Sequence, residues 1–159
     1  MGKRTPKLAE YTYRPILREI YRHYGFEVKY INGKENEKYD GILINAENNT
    51  RISIEEKGLS YYHKCCPIEL IQDIKTQNMG WFYKTEAKYI IFIYFENKQP
   101  YICYLIKMGL LKEYPAEYLN HNGCFTALAL GGWGDTVNLN IPWEQLIQDN
   151  IASVLERFS

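Results

Sequence analysis

Asp40, Glu55 and Lys57 are the residues of this chain whose types and spacing could act together on a phosphate. The stretch "DGILINAENNTRISIEEKG" reads as two strands around the turn residues "AENN", a strong hairpin pattern. Alternate side chains of a strand share a face, so Glu55 and Lys57 point one way and Glu56 the other, beside Ile52 and Ile54. A hairpin loop of two or four residues makes paired positions sum to an odd number. Asp40 then faces Glu55 or Lys57, and all three share a face. An odd-length loop would bring Glu56 there instead.

Two neighbouring carboxylates repel, and a divalent cation relieves that repulsion. Mg²⁺ keeps several waters, so Asp40, Glu55 and one backbone carbonyl, that of Glu56, suffice as protein ligands. A bound cation acidifies water and neutralises charge on a phosphate. Lys57 beside it would position the water or stabilise the charge that builds on phosphorus. The plain alternative is an exposed strand end with a cross-strand ion pair, worth ~0 to 1 kcal/mol.

The elements that must position these residues can be read along the chain. "YTYRPILREIYRHYGFEVKY" opens with a helix that carries Tyr13, Leu17, Ile20 and Tyr24 on one face, with Gly25 as its stop. Arg14, Arg18 and Arg22 form a basic stripe on another side, a candidate contact for DNA phosphates or else a solvated face. "FEVKY" predicts a first strand, "PIELIQDI" a strand rather than a helix, and "KYIIFIYFEN" a central strand covered on both faces. "QPYICYLIK" pairs with it through a turn at Asn97 to Gln99. "KMGLLKEYPAEYL" reads as a weak helix interrupted at Pro115. "GCFTALAL" and "TVNLNI" read as strands around the loop "GGWGD", and "PWEQLIQDNIASVLERF" as a closing helix. This order predicts a mixed α/β fold, a central mixed sheet flanked by helices, in one domain over residues 1–159.

Composition narrows the function classes. Nineteen Lys/Arg balance nineteen Asp/Glu, which removes a strongly basic nucleic-acid binder, although residues 1–30 hold seven Lys/Arg against three Glu. No apolar run spans a bilayer, and the N-terminus lacks a signal peptide's apolar stretch, so a cytoplasmic protein without a membrane partner is expected. "HKCC" lacks the paired ligand spacing of a zinc site. Cys65, Cys66, Cys103 and Cys124 read as mostly buried free thiols.

"YDGILINAENNTRISIEEKG" resembles the signature of the PD-(D/E)XK nuclease superfamily, with its restriction-endonuclease-like core: an acidic residue on one strand, then Glu or Asp, any residue, and Lys on the next. Tyr39 replaces the nominal proline, and Glu56 stands where many members place an apolar residue. "CPIELIQDIKTQNMGWFYKTEAKYIIFIYF" is similar to the continuation in small bacterial and phage-encoded members. The resemblance implies a Mg²⁺- or Mn²⁺-dependent endo- or exodeoxyribonuclease, with Asp40 and Glu55 holding the metal and Lys57 assisting water attack. It adds Glu69 as a further acidic group, Glu19 where some members place an extra ligand, Gln72 as a phosphate or water contact, and a homodimer for cutting two strands. The other reading is a catalytically inactive module of the same fold that binds DNA or protein, of the phage inhibitor or accessory type.

Overall fold

The computed structural model describes residues 7–33, 38–73, 76–114, 125–129 and 136–159. The chain begins with helix α1 (Glu10–His23), whose buried face is Tyr13, Leu17, Ile20 and Tyr21. Tyr24, expected on that face, is 49% exposed and caps the helix, because the chain turns away through Gly25 at a φ of +86°. Tyr21 takes its place in the core.

Strands β1 (Phe26–Tyr30), β2 (Gly41–Asn45) and β3 (Arg51–Leu59) follow as an antiparallel ribbon. The β2–β3 register pairs Gly41 with Ile54 and Ile44 with Arg51, so paired positions sum to an odd number. Asn45 secures the turn by accepting hydrogen bonds from the backbone of Glu47 and Asn48 at 2.9 and 3.2 Å. The chain then leaves for β4 (Cys65–Asp73), β5 (Asn78–Met79) and the single-turn α2 (Trp81–Lys84). It returns as β6 (Tyr89–Glu96), which lies parallel to β3. Strand β7 (Gln99–Lys107) pairs antiparallel with β6 across Asn97 and Lys98, both with positive φ. After α3 (Met108–Lys112) come β8 (Phe125–Ala129), β9 (Thr136–Pro142), α4 (Trp143–Gln148) and β10 (Ala152–Arg157).

Ten strands build two sheets among the described residues: a mixed one ordered β1-β2-β3-β6-β7-β10 and an antiparallel one ordered β5-β4-β9-β8. Strand β6 lies inside the larger sheet and is buried from Ile90 to Phe95, which is why its sequence is continuously apolar rather than alternating. Ile91 and Ile93 face α1 together with Val28, Leu43, Ile52 and Ile54. Ile90, Phe92 and Tyr94 face the other way, towards Cys66 and Ile68 of β4, Leu139 and Ile141 of β9, and Trp143 of α4. The Trp143 indole stacks on Tyr104 with ring centres 4.0 Å apart and donates to the Tyr94 hydroxyl at 3.2 Å.

The protein is therefore mixed α/β with a mixed central sheet. Helix α1 flanks one face. The second face, expected under helices, is covered mainly by the smaller sheet together with α4.

The closing helix expected over 142–158 is corrected. Only Trp143–Gln148 is helical. Asn150 then takes a φ of +59°, and Ala152–Arg157 adds a strand to β7. Ile151, Val154 and Leu155 imitate a helical period, but pairing with the exposed edge of β7 satisfies a row of backbone groups. Of the weak helix expected over residues 107–119, Met108–Lys112 is helical, and the part from Pro115 onward lies outside the described residues. His121, Cys124 and "GGWGD" also lie outside them. No helix among the described residues is long and apolar enough to cross a membrane.

Candidate active site

Asp40 directly precedes β2. Its N–H donates to the Ile54 carbonyl at 2.9 Å and its carbonyl accepts from Ile31 at 2.9 Å, which pins the residue between β1 and β3. Its carboxylate accepts the Glu56 backbone N–H at 2.7 Å. Glu55 and Lys57 lie on the same side of β3 and form an ion pair at 3.3 Å. The buried Oε2 of Glu55 makes no well-directed hydrogen bond there.

Asp40, Glu55 and Lys57 together line a hollow of about 220 Å³ at the end of the ribbon. The segment leading into α1 closes it. Leu8 donates to the Gly58 carbonyl at 3.0 Å and Lys7 bridges to Leu59, which brings Lys7, Glu10 and Tyr13 to its wall. A glycine at position 58 is required by this approach, since a Cβ there would run into the Tyr13 ring. Lys7, Glu10 and Tyr13 were not among the residues singled out from sequence for this site. Only the surplus of positive charge in residues 1–30 pointed towards that end of the chain.

Burial raises the pKa of Asp40, against the opposing pull of the Glu56 N–H, Lys57 and Arg14. Burial also raises Glu55, against Lys57. Both carboxylates are thus held where a nearby positive charge would stabilise their ionised forms.

Glu56 points to the opposite face of β3, towards α1. Its carboxylate accepts from the Tyr21 hydroxyl at 2.5 Å and the Tyr30 hydroxyl at 2.9 Å, and lies 3.4 Å from Arg14 Nε. Burial lifts its pKa to about 7 in spite of these partners.

The remaining candidates lie elsewhere. Glu19 is exposed and pairs with Arg22 at 2.8 Å. Glu69 sits on β4 opposite Asn138, in the smaller sheet, and Gln72 accepts from Lys84 at 3.4 Å. Neither lines the hollow. The basic stripe is largely engaged by the protein itself: Arg14 pairs with Glu10 and Glu56, Arg18 lies 5.1 Å from the centre of the Tyr30 ring, and Arg22 pairs with Glu19 and Glu27.

No protein-family model and no curated protein matches this chain. The resemblance noted from sequence gains no support from that quarter, and the functional reading rests on the geometry of the hollow.

Among the described residues no group of three His, Cys, Asp or Glu side chains is placed to hold a metal ion. Asp40 and Glu55 offer two carboxylates, which is the number a Mg²⁺ ion that keeps most of its water requires. The Glu55 oxygen without a directed hydrogen bond, and the raised pKa of both acids, are features that a hard cation in the hollow would relieve. The donor set fits such an ion.

Proposed function

We propose that the chain is a metal-dependent nuclease that hydrolyses DNA phosphodiester bonds in the hollow at the end of the ribbon, beside the segment that leads into α1. The observation that carries this reading is the meeting of Asp40, Glu55 and Lys57 around one polar hollow. The order of a leading helix, an antiparallel ribbon and a later parallel strand agrees with the restriction-endonuclease-like core that the sequence motif implies.

Asp40 and Glu55 would hold Mg²⁺ or Mn²⁺, and the ion would supply an acidified water and charge neutralisation at the phosphate. Lys57 starts paired to Glu55, so its ammonium is directed into the hollow, where it can orient the attacking water and offset the developing negative charge. Asp40, held by the Glu56 N–H, presents a carboxylate in a fixed orientation. The reading brings with it DNA as partner, a homodimer for double-strand cleavage, a cytoplasmic setting and kinship with small bacterial or phage-encoded enzymes.

One observation favours a second reading. Among the described residues no group of three metal-ligating side chains forms around the hollow, and two of the three stripe arginines, Arg14 and Arg22, are paired with acids of the same chain. A catalytically inactive module that keeps the fold and binds DNA or protein would need no more.

Linear, nicked, branched and single-stranded DNA incubated with the protein in Mg²⁺ or Mn²⁺ separates the two. Cleavage abolished by both Asp40→Ala and Lys57→Ala supports the nuclease. Cleavage that survives both changes places the chemistry elsewhere, and binding with no cleavage of any substrate supports the module.

A further inference from the structure

Beneath the hollow lies a carboxylate that packing alone does not explain. The Glu56 side chain has no solvent exposure, yet its position in β3 is one that an apolar residue would fill at lower cost. Its Oε1 and the Arg14 Nε are buried 3.4 Å apart, and neither completes a directed hydrogen bond. Arg14 is shared: Nη1 lies 3.0 Å from Glu10 at the wall of the hollow, and the guanidinium carbon lies over Tyr30, 3.9 Å from the ring centre. The backbone N–H of Glu56 meanwhile holds Asp40. Three groups that line the hollow, Glu10, Asp40 and Glu56 itself, are thus tied to one buried ion pair.

We propose that Glu56 and Arg14 are positioning residues, in which the Glu56 carboxylate retains the Arg14 guanidinium against Tyr30 and so leaves Asp40 to a divalent cation. The inference rests on the reading of Asp40 and Glu55 as the cation-holding pair. Its physical basis is competition. A guanidinium forks readily onto a carboxylate, and Arg14 is close enough for its charge to act on Asp40. With Glu56 neutral, Arg14 keeps Glu10 as its paired acid among the described residues, and Asp40 is the further anion on which its charge already acts. An arginine on Asp40 excludes a metal from it.

The test compares the wild-type chain with Glu56→Gln, Arg14→Gln and the double variant, in the absence of DNA. Mn²⁺ uptake is followed by paramagnetic resonance and folding by denaturant titration. Glutamine at 56 still accepts from both tyrosines, so this variant retains the local hydrogen bonds. The expected result is Mn²⁺ binding weakened about tenfold or more in Glu56→Gln, without loss of folding stability, and restored to within about threefold of wild type when Arg14→Gln is added. A purely structural role predicts no such rescue.

Mn²⁺ binding unchanged in Glu56→Gln, or a double variant as weak as the single one, overturns the proposal while leaving the cation site intact. Arg14→Gln alone gives a second decision: binding equal to or tighter than wild type supports the competition, and weaker binding refutes it. Wild-type protein that takes up no Mn²⁺ removes the cation reading and this inference with it, a failure distinct from the others.

Discussion

Neutralising Glu56 should change how stability depends on pH, and by a calculable amount. In the folded chain this carboxyl titrates near 7 rather than at its usual 4.5, with burial as the leading cause. Between those values the native state keeps a proton that the unfolded chain has released. Stability is therefore fully present below 4.5 and falls as pH rises through about 7. A displacement of that size corresponds to about 3 kcal/mol. Glutamine cannot titrate, so the unfolding free energy of Glu56→Gln relative to wild type should climb by about 3 kcal/mol between about pH 4 and about pH 8. Glu55 is also raised, in both chains alike; Asp40 is raised in wild type, and an Arg14 released onto it in the variant would lower it and add to the same climb. Guanidinium unfolding followed by the fluorescence of the buried Trp81 and Trp143 provides the assay. A difference that stays level across this range, or that moves in favour of wild type with rising pH, would refute the reasoning.

Trp143→Ala should lower the unfolding free energy by about 3 to 5 kcal/mol, measured by denaturant titration, since the indole is enclosed, stacked on Tyr104 and bonded to Tyr94. Gly58→Ala should cost about 1 to 3 kcal/mol by the same measurement, because the Tyr13 ring has to move and take α1 with it. Arg22→Ala should change stability by less than about 1 kcal/mol, as both its ion pairs are solvent-exposed; a larger loss would show that the helix end depends on them.

Local pattern and chain connectivity account for what could be read in advance. The β2–β3 pairing follows from parity once "AENN" is taken as a turn, and it brings Asp40 beside Glu55. The apolar run from Tyr89 to Phe95 could belong only to a strand covered on both faces. Other features depend on contacts between distant segments, which periodicity does not encode. Tyr21 and Tyr24 are both compatible with the buried side of α1, and the choice falls to Tyr21 because Glu56 and the sheet lie under it. Ile151, Val154 and Leu155 carry a helical spacing that the open edge of β7 overrides. Lys7 and Glu10 reach the site only because the chain before α1 docks on the end of β3. That Glu56 faces away from Glu55 was legible from alternation, whereas its tyrosine and arginine partners were not.

The enclosure of β6 gives the molecule an internal clock. From Ile90 to Phe95 its side chains are at most 3% exposed, and the strand is hydrogen-bonded to β3 on one side and β7 on the other. Amide deuterons can enter there only when the whole sheet comes apart, so their uptake reports global opening. The amide of Glu56 is held by an acid at the wall of an open polar hollow, and it should exchange by smaller, more frequent excursions. The ratio of the two rates separates breathing at the site from loss of the fold.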